Sequence, residues 1–336
     1  MNFNWKYKLG FVCFGLVFGL VISEIALKIL AASKDGSEFE SLEDLRSAML
    51  DDEKEPAKSK SGSVSLRSIV TPHLNDKIIY TLRPNLDVKF QQQPVSTNSC
   101  AMRNREVPII KPANTYRIAM LGDSFAFGWG VKQEEGFAAV LEDNLNKLST
   151  NGTKFEVLNF GVPGYSTFQE VEYFKTDGID FDPDAIIVFF IRNDFGFPFF
   201  VRSVTNDSKI FSSVSFLSML QKATDPELEM AKLEMQRLDP NWAITELSDF
   251  ARERGIKLFI AINPKKGWKE DYSRIRVLNR RKDITTMIMR KNYLHTVEVN
   301  AIDEKDLTLS NDPHPSPIRH KMYADLMTTY FMDIAQ

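Results

Sequence analysis

A chain of 336 residues of which 43% are apolar can fill the core of one large domain or two modest ones. A formal net charge of −3 gives it no electrostatic footprint for general nucleic-acid binding. Its two cysteines, Cys13 and Cys100, exclude an internal disulfide framework and a thiolate metal site.

Residues 9–32 are dominated by apolar side chains over roughly the twenty positions needed to cross a bilayer. Glu24 and Lys28 interrupt the run four residues apart, a spacing at which they can pair on one helix face. Residues 1–32 therefore read as a cytoplasmic tail and transmembrane anchor, with a cleaved signal peptide cored on residues 9–22 as the competing reading. Lys6 and Lys8 precede the segment while Asp35, Glu38 and Glu40 follow it, so the N-terminus is expected in the cytoplasm and the body of this single-pass protein outside that membrane.

Residues 33–70 carry the acidic run Asp51, Asp52, Glu53 and Glu55 and the low-complexity stretch KSKSGSVS, and read as a flexible linker. A short helix over 38–50 is the one element that could interrupt it. In residues 71–115, Ile78, Tyr80, Leu82, Val88, Phe90 and Val95 alternate with turn formers, which predicts two or three short extended segments packed on the main domain.

Residues 116–336 alternate strand and helix patterns. Strands are predicted at 117–121, 155–160, 185–191, 257–262 and 296–302, and helices at 135–148, 167–176, 241–254 and 272–290. This alternation implies an α/β fold: a three-layer αβα, flavodoxin-like domain around a five-stranded parallel sheet. Residues 195–240 form an insertion that opens on Phe195, Phe197, Phe199 and Phe200 and includes an acidic amphipathic helix at 226–238. A last helix over 318–334 is announced by Ser316 as N-cap and Pro317 at the first helical position.

The stretch RIAMLGDSFAFGWGV, residues 117–131, reads as strand, elbow and helix. Its apolar run suits a buried parallel strand, and Gly122 permits a sharp exit. Ser124 would then sit at the carboxyl end of a strand, where open α/β sheets place their chemistry. A helix cap after a turn explains the same tripeptide without any catalysis.

Four blocks follow in order, each beside a predicted strand end: GDSF at 122–125, NFGVPGYST at 159–167, RND at 192–194 and DPHP at 312–315. Together they resemble the SGNH (GDSL-type) hydrolase and acyltransferase superfamily over roughly residues 116–336. The residues PN at 84–85, TNS at 97–99 and R-RE at 103–106 look, more narrowly, like membrane-anchored members associated with cell-surface polysaccharide.

A serine hydroxyl is a poor nucleophile unless a base lies within hydrogen-bond reach and a third group orients that base. His314, in a loop before the final helix, is the candidate base, and Asp312 the group that fixes its tautomer. The family often carries its aspartate three residues before the histidine; here that position is Asn311, and a closer Asp-x-His spacing also occurs among relatives. The resemblance implies three oxyanion donors: the Ser124 backbone N–H, the Gly164 backbone N–H and the Asn193 side-chain amide. A turn at Gly164 and an Asx-turn at Asn193 or Asp194 are the structural readings of the same residues.

Other candidates have simpler readings. Asp123 is expected to hold the elbow, His320 to pack on the last helix, His73 and His295 to be ordinary, and Gly128 and Gly130 to let a helix start close to the sheet. Arg274, Arg276, Arg280, Arg281 and Lys282 form a basic cluster that reads as a solvated helix face or a site for an anionic polymer or lipid headgroup. No HExxH or paired-cysteine spacing supports a metal, and no cofactor is expected.

The resemblance thus implies an exported, membrane-tethered serine esterase or O-acyltransferase, with an acylated cell-surface glycan, acetylated in the first instance, as substrate. A membrane acyl-transfer partner is compatible with that arrangement. Two alternatives stay open: a non-catalytic glycan-binding or assembly subunit, suggested by Asn311 and the aromatic insertion, and a short-chain lipase whose acyl pocket uses residues 195–200.

Overall fold

The structure, a computed structural model, describes residues 62–75, 77–78, 80–191, 194, 239–263, 275–289 and 304–336. It opens with a helical turn, Leu66–Ile69, followed by two antiparallel hairpins, β1 (Val70–Pro72) with β2 (Tyr80–Leu82) and β3 (Asp87–Phe90) with β4 (Gln93–Ser96). Ile69 and Val70 are buried, so packed structure begins before residue 71, inside the stretch read as linker. Gln91 and Gln92 turn the second hairpin with φ of 47° and 65°, the left-handed pair that a two-residue hairpin with right-twisted strands requires.

The core is a five-stranded parallel sheet made of β5 (Thr115–Gly122), β6 (Lys154–Gly161), β7 (Ala185–Phe190), β8 (Lys257–Ile262) and β9 (Ile284–Ile288). Their order is β6-β5-β7-β8-β9, the doubly wound order whose switch point lies between β5 and β7. Every residue of β7 is buried, as a central strand covered on both faces should be. Helices α1 (Ser124–Phe127), α2 (Phe137–Leu148), α3 (Thr167–Tyr173), α4 (Pro240–Glu253), α5 (Pro317–Thr328) and α6 (Met332–Ala335) complete the layers. Phe137, Leu141 and Leu145 of α2 and Met322, Tyr323 and Leu326 of α5 cover one face of the sheet, against Ile118, Met120, Val157 and Phe189. On the other, Phe160 of β6 meets Tyr173 and Phe174 edge-on, with ring centroids 5.7 and 6.4 Å apart, and Phe250 of α4 closes over Phe174.

β6 lies at the edge of the sheet, and its outward backbone groups are paired by side chains instead of a further strand. Phe155 exchanges two 2.9 Å hydrogen bonds with the Asn146 amide, Val157 N–H donates to Glu142 Oε2 at 2.7 Å, and Asn104 bridges the Val157 carbonyl (2.8 Å) and the Asn159 N–H (2.6 Å). An edge filled in this way offers no row of free N–H and C=O groups to another chain.

Two predicted elements differ. The helix expected over 272–290 is absent: its described part is a 3-10 turn, Arg276–Asn279, and the strand β9. The run Ile284, Thr285, Thr286 is β-branched, favouring a strand, and it lengthens the sheet beside β8. The strand expected at 296–302 lies outside the described residues; among the described residues the fifth strand of the sheet is β9. From the basic cluster, Arg281 pairs with Asp283 and Asp249 at 2.7 and 2.8 Å, a structural contact between the β9 turn and α4. The last helix stops at Thr328, whose hydroxyl bonds back to the Ala324 carbonyl at 2.7 Å, and resumes only as the short α6.

The anchor at 9–32, most of the linker, the helix weighed over 38–50, the phenylalanines at 195–200 and the helix at 226–238 lie outside the described residues. Among the described residues no helix is long and apolar enough to cross a membrane.

Candidate active site

β5 and β6 end in register at Gly122 and Gly161, and the chain leaves both strands on the same edge, at the switch point. A Cβ on Gly122 would stand 2.7 Å from Ala126 Cβ, and one on Gly161 would stand 2.6 Å from the Ala126 carbonyl carbon. Glycine at both positions is what lets α1 turn back directly over the strand ends. Gly128 and Gly130 do a different job from the one expected. With φ 85° Gly128 ends α1 in a left-handed conformation, its N–H closing on the Phe125 and Ser124 carbonyls, and Gly130, with φ 72°, turns the chain two residues beyond that cap.

Asp123 caps α1, its Oδ1 accepting the Phe125 N–H at 3.0 Å. The other end of α1 is held by Arg103, a residue the sequence marks only as part of the soft R-RE resemblance. Its guanidinium donates to the carbonyls of Phe127 (2.9 Å), Gly128 (2.5 Å) and Val131 (2.8 Å). Burial lowers its pKa to about 10, against the opposing pull of Glu134. The loop that presents Arg103 is itself pinned: Asn98 Oδ1 accepts from Cys100 and Met102 N–H, and Glu106 accepts from the Ser99 amide and hydroxyl.

Ser124, Asp312 and His314 come together although 190 residues separate the serine from the histidine. Ser124 Oγ lies 2.8 Å from His314 Nε2, and His314 Nδ1 lies 2.5 Å from Asp312 Oδ1, which also accepts the His314 backbone N–H at 2.9 Å. Asn311, at the family's more frequent aspartate position, takes φ 61° in the tight turn between β10 (Thr308–Leu309) and β11 (Asp312–Pro315). Asparagine tolerates that conformation, and the turn delivers Asp312 in its place. Burial pushes the Asp312 carboxyl up, but hydrogen bonds from the His314 amide and ring and from Trp129 outweigh it and hold the group below the usual carboxylate range.

The two amides expected as oxyanion donors leave this same edge of the sheet. Ser124 N–H is the first of α1 and so has no intrahelical acceptor, and Gly164 adopts φ 84° in the turn after β6. Among the described residues neither amide has a partner. That turn is pinned from the N-terminal hairpin: Tyr80 OH donates to the Pro163 carbonyl at 2.9 Å, Tyr165 OH donates back to the Tyr80 carbonyl, and Gln169 reaches the Ile78 carbonyl at 2.7 Å. Asn193 lies outside the described residues. Asp194 closes back on the end of β7 with a contact other than an Asx-turn, its Oδ2 accepting the Ile191 N–H at 3.0 Å and its own N–H donating to the Ile191 carbonyl at 3.1 Å.

Behind the elbow, Glu170 of α3 is fully buried, and neither carboxyl oxygen has a hydrogen-bond partner. Burial, then the negative Asp194 and Asp123, raises its pKa well above the ordinary 4.5, so folding favours its neutral form. The unfolded chain ionises at the ordinary value, so wild-type stability is eroded as pH rises above about 4.5 toward the folded pKa. Glu170→Gln should therefore gain on wild type by about 1.4 kcal/mol per pH unit in that window. Urea midpoints at pH 5, 6 and 7 check this; parallel curves would contradict it.

The remaining histidines have structural partners where described. His320 is buried and accepts the Phe137 N–H on Nδ1 at 3.2 Å, and burial pushes its pKa down to about 3. His73, expected to be ordinary, pairs with Asp177 at 3.0 Å and accepts the Asn75 N–H. His295 lies outside the described residues. Among the described residues no cluster of His, Cys, Asp or Glu could hold a metal ion.

The model of the GDSL-like Lipase/Acylhydrolase family matches residues 120–320, from β5 to the first turns of α5. No curated protein matches the chain significantly. Among solved structures, the chain is similar to a putative lipolytic protein of the G-D-S-L family from Desulfitobacterium hafniense, at 16% identity over 63% of this chain and 98% of that one, with a TM-score of 0.40. A two-domain esterase active on acetylated mannans is 19% identical over 66% of this chain and 50% of that one, with a TM-score of 0.41. A psychrotrophic esterase from Pseudoalteromonas sp. is 14% identical over 65% and 97%, also with a TM-score of 0.41. Likeness at this level says nothing of substrate. The matched span holds Ser124, Gly164, Asp312 and His314, and over it the chain belongs to the GDSL-like lipase/acylhydrolase family.

Proposed function

We propose that this protein is a serine esterase or O-acyltransferase that works through Ser124, His314 and Asp312 on acyl groups, acetyl foremost, carried by a cell-surface glycan. The observation that carries the reading is the continuous hydrogen-bond chain Asp312–His314–Ser124 at the switch point of the sheet. Ser124 Oγ attacks the acyl carbonyl while His314 Nε2 takes its proton, and Asp312 holds the imidazole in the tautomer whose Nε2 is free to accept. The charge moved to the carbonyl oxygen meets the Ser124 and Gly164 amides, with Asn193 as the third expected donor. His314 returns the proton to the departing sugar oxygen, leaving an acyl-enzyme. Water resolves it in an esterase and a sugar hydroxyl in a transferase.

The anchor reading of residues 9–32 would place this site outside the cytoplasmic membrane, facing envelope glycans and within reach of a membrane acyl donor. Its support is the apolar run and the basic flank that precedes it. The non-catalytic alternative loses one of its two motives, because Asp312 supplies the carboxylate that Asn311 does not.

The test uses the detergent-solubilised full chain with a fluorophosphonate probe, a series of p-nitrophenyl esters and an acetylated oligosaccharide. A single adduct mapped to Ser124, a preference for short acyl chains and release of acetate from the sugar are expected. An adduct elsewhere, or none on folded protein, would overturn the serine mechanism. Turnover of the nitrophenyl esters with no acetate released from the sugar would favour the short-chain lipase reading, and acetyl appearing on an added acceptor sugar would identify a transferase.

A further inference from the structure

Trp129 stands in the first turn after α1, held by Gly128 and Gly130 on either side. Its backbone N–H donates to the Ser124 carbonyl at 3.0 Å, so its position is tied to the nucleophile's own residue. The indole lies face to face with the His314 ring, with centroids 4.9 Å apart and planes 15° from parallel. Its Nε1–H donates to Asp312 Oδ2 at 3.2 Å, the carboxylate oxygen that His314 leaves free. Phe90 of the β3–β4 hairpin closes edge-on against the indole at 4.9 Å, fixing it from behind. One side chain thus touches both the base and the group that orients the base.

We infer that Trp129 is a positioning residue of this site that also stabilises the imidazolium form of His314; the inference rests on the serine mechanism proposed above. When Ser124 attacks, the Oγ–H bond breaks as the Oγ–C bond forms. The proton passes to His314 Nε2, and the carbonyl electron pair moves to oxygen. His314 is neutral before this step and cationic during it. An indole face attracts a cation and does little for a neutral ring, so the stack acts on the transition state and not on the resting enzyme. The hydrogen bond to Asp312 Oδ2 holds the carboxylate so that Oδ1 stays aimed at Nδ1. A purely packing role would need neither the stack nor the indole hydrogen bond.

Two variants of the full chain separate these contributions, with initial rates on p-nitrophenyl acetate and fluorophosphonate labelling followed from pH 5 to 9. Trp129→Phe keeps a ring face and loses the donor, and its kcat is expected to fall about fivefold with little change in KM. Trp129→Leu loses both, and in addition the acid limb of kcat/KM should move to lower pH by about half a unit, because the cation has lost its stabiliser. A fall in kcat with an unmoved acid limb in Trp129→Leu would reduce the residue to packing and overturn the inference, as would wild-type rates in both variants. If Trp129→Leu does not fold, wild-type kcat in Trp129→Phe still refutes the positioning role. Wild type that fails to label at Ser124 would remove the serine mechanism itself, which is a different result from labelled wild type beside unchanged variants.

Discussion

Ser124→Ala and His314→Ala should each lose about six orders of magnitude in kcat, and Asp312→Asn about four, with all three proteins folded as wild type. The near-equality of the first two follows from shared labour. Without the base the hydroxyl is not activated, and without the hydroxyl the base has nothing to activate, so the triple variant should be no worse than Ser124→Ala alone. Asp312→Asn is informative because it changes so few atoms. Asp312 Oδ1 accepts from both the His314 amide and Nδ1. An asparagine amide turned toward Nδ1 would donate there, leaving the proton on Nε2, where it faces Ser124 Oγ and blocks proton transfer. The sign of the acid response follows from Asp312 as well. Its folded pKa lies below the usual range, so the stability it contributes is present at neutral pH and lost as pH falls through that lowered value. Single-turnover labelling with circular dichroism on the same samples separates lost chemistry from lost fold. Asp312→Asn with wild-type turnover would remove Asp312 from the triad.

Much of this site is legible from local pattern because its parts are local. GDSF and DPHP each follow from strand ends, turn formers and a helix cap, and Asp312 and His314 sit two residues apart on one short strand, β11. The supporting contacts are not local. Trp129 meets Asp312 across 183 residues, Asn104 meets the β6 edge across more than 50, and Tyr80 reaches Pro163 across 83. No period of 2 or 3.6 records such pairs, and Arg103 is only one letter of the R-RE stretch until its loop is seen folded onto α1. β9 is hidden for another reason. The residues ITTMI follow a cluster of basic residues whose apolar spacing also suits a helix, and only pairing with β8 decides between the two. Gly128 shows the limit of composition: it is needed to stop a helix, whereas Gly161, 33 residues on in the next strand, is what lets that helix seat.

Arg117→Met is expected to destabilise the protein by about 3–5 kcal/mol, the largest loss from any single charged residue of the sheet. Arg117 begins the buried part of β5 and is itself fully buried. Its Nε pairs with Glu156 Oε2 on β6 at 2.9 Å, and its other nitrogens donate to the carbonyls of Pro108 (2.5 Å), Ile109 (2.7 Å) and Phe181 (2.8 Å). One side chain thereby ties the segment before β5 and the turn before β7 to the amino ends of the two strands that carry Gly122 and Gly161. Burial pushes the Glu156 carboxyl up, but bonds from Arg117 and Lys154 overcome this and hold it below its usual range. Methionine would leave that buried carboxylate with Lys154 at 3.1 Å and the more distant Arg105 at 3.9 Å, both on Oε1, and with Oε2 and three carbonyls lacking their donor. The loss should be greatest at neutral pH and shrink toward pH 4, where the stranded Glu156 takes up a proton and its charge penalty disappears. Arg117→Met with Glu156→Met should recover much of the deficit, since an apolar pair of similar volume leaves no uncompensated charge. Urea unfolding of the two variants at pH 4.5 and 7.5 decides the matter: equal losses in the single and double variants would mean that the carbonyl bonds, and not the ion pair, hold this end of the sheet. Because Arg117 lies at the amino end of β5 and Ser124 follows its carboxyl end, kcat well below the new melting temperature should stay at the wild-type value, which separates the frame of the sheet from the chemistry mounted on it.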